Sequence, residues 1–353
     1  MYLLDDYDFE LPEDLIAQKP AEQRDGSRLL LMQRESGVLS HHRFYELPGF
    51  LVPGDVLVVN DTQVVPARLV GKKTTGGRVE VLILDYARAV ETAAETGFLT
   101  CRCLIKSARR IESGTRVFFD GGLTAEIGDC REGVFSVSFS YEGDFDRLID
   151  EIGSVPLPPY IRRETPAGSP EDKAAYQTVY ASRKGAAAAP TAGLHFTGSL
   201  LDEIRAFGVT IATITLHVGY GTFRPVKVAD IRDHRMHSED FTIFQTAAET
   251  INRAKADGRR VVAVGTTCVR TLEYASDTGG RIQPGGGSCD LFLYPGYRFR
   301  VVDAMITNFH LPRSTLIMLV AAFAGREKVL AAYREAVEKR YRFFSYGDAM
   351  MIV

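Results

Sequence analysis

The sequence predicts an α/β protein: a main α/β domain with a largely parallel sheet, interrupted by an inserted small antiparallel β-barrel domain. Three observations predict it. From about residue 198 onward, short β-branched runs alternate with helical periodicity, as strands joined by crossover helices do. Between about Val65 and Phe139 the texture changes to short alternating runs, R-V-E-V-L-I-L, T-R-V-F-F-D and G-V-F-S-V-S-F, separated by Gly-Gly or Asp-Gly-Gly turns. Before that segment, D-V-L-V-V-N-D (Asp55 to Asp61) already reads as a buried strand bounded by Pro53-Gly54 and Asn60-Asp61. The α/β domain is therefore placed at 1–63 and 147–353, and the β-barrel insert at 64–146.

In chain order, Y-D-F-E-L-P-E-D-L-I-A-Q predicts a short extended piece, a turn and a brief helix. After the β-rich segment, L-P-P-Y-I-R-R-E-T-P-A-G-S-P-E-D is a proline-rich loop. A helix follows at about Gly198–Phe207, a strand at Val209–His217 and a helix at Ala247–Ala256. A strand at Arg260–Val264 leads into a helix from Thr267, and a strand at Val301–Thr307 precedes helices at Ser314–Ala324 and Arg326–Arg340.

At 353 residues and net charge −3, the chain is long enough for two domains and carries no global basic field for nucleic acid. The charge is uneven, however. Arg68, Lys72, Lys73 and Arg78 face only Glu80 within residues 66–80; Arg102, Lys106, Arg109, Arg110 and Arg116 face only Glu112 within 101–116. Such stretches form either solvated strand faces or, together, a phosphate-facing patch. Five cysteines without a C-x-x-C pair argue against a disulfide framework or a cysteine-rich zinc site. The N-terminus has no signal-peptide core, and the longest strongly apolar run, Leu316 to Ala324, is too short to cross a bilayer. A cytoplasmic monomer without membrane contact is the expectation.

Three of the seven histidines sit among Thr, Gly and Pro at expected element ends: P-T-A-G-L-H-F-T (His195), L-H-V-G-Y-G-T-F-R-P (His217) and T-N-F-H-L-P-R-S-T (His310). In an open α/β sheet, ligands bind beyond the carboxyl ends of strands. Gly219 and Gly221 allow close backbone approach, and Thr222 offers a hydrogen bond. In V-A-V-G-T-T-C-V-R-T-L-E, Thr266 and Thr267 begin a helix whose free N–H groups suit a carboxylate or phosphate. R-D-H-R-M-H-S-E-D adds His234, His237 and Glu239. Its H-x-x-H lacks the H-E-x-x-H metal spacing, so hydrogen bonding or proton transfer is the preferred role and no metal is expected. The dinucleotide, P-loop and G-x-S-x-G signatures are absent. A metal-dependent hydrolase and a non-catalytic RNA-binding module are the rival readings.

Read in order, Y-D-F-E-L-P-E-D-L-I-A-Q-K-P, R-D-G-S-R-L-L, V-L-V-V-N-D-T-Q-V-V-P-A-R-L, P-T-A-G-L-H-F-T, L-H-V-G-Y-G-T-F-R-P-V, M-H-S-E, V-G-T-T-C-V-R-T-L-E and T-N-F-H-L-P-R-S-T-L span residues 7 to about 325. In these blocks the chain resembles the S-adenosylmethionine:tRNA ribosyltransferase-isomerase family of queuosine biosynthesis. The β-rich region, about 80–150, matches more in texture than in motif. The resemblance implies transfer and isomerisation of the ribosyl group of S-adenosylmethionine onto 7-aminomethyl-7-deazaguanine at the tRNA wobble position. Epoxyqueuosine forms; adenine and methionine leave. S-adenosylmethionine is then a consumed substrate, and no cofactor is expected. On this reading His195, His217, His237, Glu239 and His310 surround the reacting ribose. Thr191, Gly193, Thr197, Gly219, Gly221, Thr222, Thr266, Thr267, Arg270 and Asn308 hold S-adenosylmethionine. Arg24, Ser27, Arg28, Asn60, Arg68, Lys72 and Arg313 face the tRNA anticodon arm.

Overall fold

A computed structural model describes residues 2–163, 170–219, 221 and 225–353. The chain begins with 3-10 turns at Leu4–Tyr7 and Glu13–Leu15, where the sequence suggested a brief helix. It continues through β1 (Arg28–Met32), β2 (Leu39–Arg43), β3 (Val56–Asn60) and β4 (Thr62–Val64). Next come β5 (Arg68–Lys73), β6 (Arg78–Ile83), α1 (Tyr86–Thr96), β7 (Leu99–Ser107), β8 (Arg116–Phe118), β9 (Thr124–Arg131) and β10 (Val134–Ser140). Then α2 (Phe145–Ile152), α3 (Pro170–Ala175), β11 (Arg183–Ala186), α4 (Gly198–Ala206), β12 (Thr210–Leu216), β13 (Glu239–Ile243) and α5 (Gln245–Ala256) follow. The chain closes with β14 (Val261–Val264), α6 (Thr266–Ala275), β15 (Gly285–Cys289), β16 (Ala304–Asn308), α7 (Thr315–Ala324), α8 (Arg326–Glu338) and β17 (Ala349–Ile352).

The main sheet has nine strands in the order β15-β13-β12-β3-β14-β16-β17-β1-β2. Its centre, β12-β3-β14-β16, is parallel. Val56 and Val58 of β3, with Val261 and Ala263 of β14, join the core under α5 to α8, whereas Leu57, Val59, Val262 and Val264 join the core under α4. Both faces are covered, so these strands read as unbroken apolar runs. The expected largely parallel sheet is nevertheless mixed: β16–β17, β1–β2, β12–β13 and β13–β15 are all antiparallel. Hydrophobic periodicity reports burial and not strand direction. The glycine-rich edge strand β15 has four exposed residues in G-G-G-S-C and carries no apolar pattern to read.

Strands β5 to β10 close into an antiparallel six-stranded barrel in the order β10-β7-β6-β5-β8-β9. Alternate residues, such as Leu69, Val79, Val81, Cys101, Cys103, Val117, Ile127 and Val137, fill its interior. Helix α1, which the sequence reading placed in strand-rich texture, packs in the same cluster through Tyr86 and Ala89. The barrel strands fall between β4 and β11, which pair with each other in a separate two-stranded parallel ladder. The chain therefore leaves and re-enters the main body at neighbouring points.

The return passes through Gly153. Ser154 and Arg68 exchange backbone hydrogen bonds of 2.9 and 3.1 Å, and a Cβ on Gly153 would meet the carbonyl oxygens of Pro66 at 1.9 Å and Ile149 at 2.6 Å. Neither backbone atom can swing aside as a side chain could. Gly153→Ala is expected to destabilise the fold by roughly 1–3 kcal/mol through overpacking. Urea unfolding followed by circular dichroism checks this; an unchanged midpoint would show that the junction relaxes freely.

Candidate active site

A cavity of about 460 Å³ opens where the central parallel strands end. Its wall combines Ala188–Ala192, Val218, Gly265–Thr267, Thr307, Asn308 and His310 with Tyr160, Phe344 and Ser345. Leu4, Leu311, Pro312 and Arg313 also line it. Gly265, at φ 89°, turns the chain from β14 into α6 in a conformation that L side chains rarely adopt. The N–H groups of Thr266, Thr267 and Cys268 open the helix and donate to no described residue. Helix N-termini carry partial positive charge, so this turn is ready for an anion.

His310 is 8% exposed, and burial lowers its pKa to about 3. Its Nε2 lies 2.7 Å from Thr307 Oγ1, and its backbone N–H donates to Tyr333 Oη at 3.2 Å. The ring is neutral at physiological pH. A neutral imidazole with one nitrogen held by a threonine retains a second nitrogen for substrate, as a proton acceptor or donor according to tautomer.

His195 is also neutral, with burial lowering its pKa to about 4, but its ring is fully used. Asn308 Nδ2 donates to the carbonyl of Phe344 and to His195 Nε2, each at 3.1 Å. That places the proton on Nδ1, which donates to Ser27 Oγ at 2.7 Å; Ser27 in turn donates to the carbonyl of Arg24. Phe44 stacks on the ring at 5.0 Å. His195 therefore acts as a brace that aims Asn308 at the cavity wall. Asn308 Oδ1 is buried with no partner among the described residues.

Glu239 forms a buried ion pair, its Oε2 accepting from Arg270 Nη1 at 2.6 Å, while Oε1 accepts the Gly219 N–H at 2.9 Å. The rest of the guanidinium donates to the carbonyls of Leu291 and Cys289. Glu239 and Arg270 thus anchor the loop after β12 to β13 and β15, and neither lines the cavity. His237 packs against Gly221, whose added Cβ would lie 2.4 Å from the ring. His217 receives or gives a 2.8 Å hydrogen bond with Thr62 Oγ1 and sits over Gly185, at the β4–β11 junction.

Of the residues assigned to S-adenosylmethionine, Thr191, Thr266, Thr267 and Asn308 line the cavity. Gly193 is packed against Tyr180, whose hydroxyl would lie 2.0 Å from an added Cβ. Thr197 caps α4, accepting from Leu200 N–H at 3.2 Å and donating to Asp25 at 2.9 Å. Thr222 lies outside the described residues. The five expected acid–base groups do not surround one point; among them only His310 lines the cavity.

The expected tRNA-facing set divides similarly. Asn60 is fully buried and ties β3 to Leu216 through both its amide atoms, and Ser27 is buried beneath His195. Arg24 donates to the carbonyls of Gln177 and Ala174, Arg28 to that of Lys339, and Arg68 to that of Leu157 with Glu80 at 3.4 Å. These arginines hold the fold. Lys72 is exposed, and Arg313 stands at the cavity rim. Arg313 adopts φ 56°, held there by Tyr7 O and by Asp8 at 2.5 Å and Asp5 at 3.4 Å.

Sequence reasoning missed Tyr160, Phe344 and Ser345. Tyr160 Oη lies 2.5 Å from Ser345 Oγ, and its ring stacks on Phe344 at 4.5 Å. The aromatic, polar run Y-R-F-F-S-Y-G-D (Tyr341–Asp348) near the C-terminus was the available signal.

The family model described as queuosine biosynthesis protein matches residues 4–352. The chain belongs to that family. It is 51% identical over 351 residues to an S-adenosylmethionine:tRNA ribosyltransferase-isomerase of Syntrophotalea carbinolica, with 99% of each chain covered. To the protein of the same name from Moorella thermoacetica it is 53% identical over 354 residues, again covering 99% of both. It is also similar to the crystal structure of an S-adenosylmethionine tRNA ribosyltransferase from Thermotoga maritima, at 35% identity and TM-score 0.54 over 99% of this chain and 100% of that one. Among the described residues of this family member, no helix is long and apolar enough to cross a membrane.

Two outcomes follow from this geometry. His195 and His310 bind protons more weakly folded than unfolded, so stability rises with pH between their folded values, about 4 and about 3, and the unfolded value of 6.5. Below pH 6.5 each histidine should cost about 1.4 kcal/mol per pH unit, measurable by urea unfolding at pH 5 and 7; equal midpoint losses in wild type and the double variant His195→Asn/His310→Asn would refute it. Arg270→Met strands the Glu239 charge and should cost about 3–5 kcal/mol, with Arg270→Met/Glu239→Leu recovering most of it. A thermodynamic cycle on these variants reads the coupling.

Proposed function

We propose that this protein transfers the ribosyl moiety of S-adenosylmethionine to the aminomethyl group of 7-aminomethyl-7-deazaguanine at the tRNA wobble position and isomerises it. The products are epoxyqueuosine in tRNA, adenine and methionine. The observation that carries the reading is the cavity where the open α6 N-terminus faces neutral His310, in a chain that matches the queuosine family along nearly its whole length.

The chemistry fits the parts. The methionyl carboxylate takes the N–H groups of Thr266 and Thr267, where the helix dipole favours negative charge. The sulfonium carries positive charge, and the stacked Tyr160–Phe344 pair offers it an aromatic wall. Thr191 and Asn308 supply polar contacts for the nucleoside, with His195 fixing the amide. His310, buried and uncharged, exchanges protons at the ribose or at departing adenine without first losing a proton to solvent. The wobble base leaves its stack to reach a cavity this enclosed. S-adenosylmethionine is consumed as a substrate, and the scheme uses no other cofactor.

The test is adenine release from S-adenosylmethionine on mixing with tRNA that carries the 7-aminomethyl-7-deazaguanine base. Wild type should release adenine and methionine in equal amounts; none would overturn the reading. His310→Ala should slow release by about 10²–10⁴-fold, whereas His217→Ala, at a site off the cavity, should fall far less. Near-wild-type turnover of His310→Ala would remove that residue from the chemistry.

A further inference from the structure

Residues 66–118 carry ten Lys and Arg against five Asp and Glu in a chain whose net charge is −3. Five of these ten cations lie on the barrel's β5–β6–β7 face or in the loop that follows it. Lys72 of β5 lies directly opposite Arg78 of β6, and Lys106 of β7 is two residues further across, opposite Glu80. All three cations are exposed. Like charges set directly across a ladder repel, so this arrangement weakens the isolated barrel. The loop after β7 adds exposed Arg109 and Arg110 beside a concavity of about 320 Å³, and Ser107 Oγ donates to the carbonyl of Arg109, shaping the turn.

The carboxylates do not balance this face. The barrel's ion pairs are Arg68–Glu80 and Arg116–Glu126, and among the described residues no ion pair engages the five cations of the face. Glu80, the one acid opposite Lys106, is already shared with Arg68. A purely solvated face would gain from interspersed acids; a face that meets an anion would not.

Its position relative to the cavity sets the partner. Strand β5 starts at Arg68, which is tied to Ser154 and Leu157 in the segment leading to Tyr160 on the cavity wall. At about 3.3 Å per residue, Lys72 stands roughly 13 Å beyond Arg68 along the strand. A nucleotide chain whose reacting base enters the cavity covers that ~13 Å and, in addition, the span from Tyr160 to Arg68 before it meets this face.

We propose that the outer β5–β6–β7 face of the barrel, with the Arg109–Arg110 loop, is the docking surface for the phosphate backbone of the RNA substrate. It grips the helical stem beside the reacting nucleotide without reading its sequence. This rests on the proposed tRNA reaction. It also shifts the main RNA contact away from Arg24, Arg28 and Arg68, which are committed to the fold.

The test is a variant carrying Lys72→Gln, Arg78→Gln, Lys106→Gln and Arg109→Gln, all at exposed positions. Binding of an unmodified tRNA transcript is followed by fluorescence anisotropy from 50 to 200 mM salt. Each phosphate contact contributes about 0.9 to the slope of log affinity against log salt, so the slope should flatten by about 2–4 and low-salt affinity should drop at least 10-fold. With base-modified tRNA, KM for tRNA should rise while kcat at saturating tRNA stays near wild type. Unchanged slope and affinity, with an unchanged melting curve, overturn the surface. Loss of kcat alone also overturns it, because that places the residues in the chemistry and not in docking. Absence of adenine release by wild type, with the salt slope still flattened in the variant, would instead sink the proposed reaction and leave an RNA-binding face standing.

Discussion

Four parallel strands, three of them buried on both faces, leave their carboxyl ends as the place for chemistry. In β3, β14 and β16 every residue is buried between helices above and below, while β12 keeps Thr210 and Thr213 exposed, and the carboxyl ends of these strands present backbone and polar groups to an opening. Gly265, Thr307 and Asn308 sit at those ends, and α6 begins there with the N–H groups of Thr266 and Thr267 donating to no described residue. The rigid quartet determines where the α6 dipole points, and through Asn308 and Thr307 it determines where two histidine rings can lie.

Around this core, most polar residues are occupied with holding loops. The Glu239–Arg270 pair pins the loop after β12, and Glu273 does comparable work elsewhere. Its buried carboxylate accepts the N–H groups of Arg300, Val301 and Val302 and the Tyr297 hydroxyl, fixing the approach to β16. Removing one partner of such a buried, hydrogen-bonded charge leaves the other uncompensated and is costly. The cavity itself is left with little charge: Arg313 at its rim, and His310 held neutral by burial. Such a site favours a reaction in which a sulfonium and a leaving base, not protein carboxylates, carry most of the changing charge.

The barrel follows a different logic. Its interior is a small closed core, its outer face is strongly basic on one side, and its return junction at Gly153 is sterically tight. The junction itself is closed by the paired backbone hydrogen bonds of Arg68 and Ser154 beside Gly153. The contrast with the main body explains how a chain of net charge −3 can serve a polyanionic substrate: local field, not total charge, governs the encounter.

The sequence by itself determined the strand-and-helix order of the second half. The runs V-V-A-V and A-M-I-T-N and the capped helices at Gly198 and Thr315 are local signals of burial and capping, and β14, β16, α4 and α7 appear where those signals lie. It also marked a small antiparallel β domain, barrel or sandwich, because period-two alternation between glycine turns is a local property; closure into a barrel came with the tertiary pairing. Only the tertiary structure decided strand direction, since the C-terminal β17 enters antiparallel to β16 and parallel to β1 through pairings remote in sequence. It also decided which histidines meet substrate space. His195, His217 and His310 occupy similar Thr-, Gly- and Pro-rich contexts, yet one ring is consumed by Ser27 and Asn308, another by a junction, and the third opens on the cavity. Residue type and neighbours fix what a side chain can do; the hydrogen-bond partners brought from residues more than a hundred positions away fix what remains free to do it.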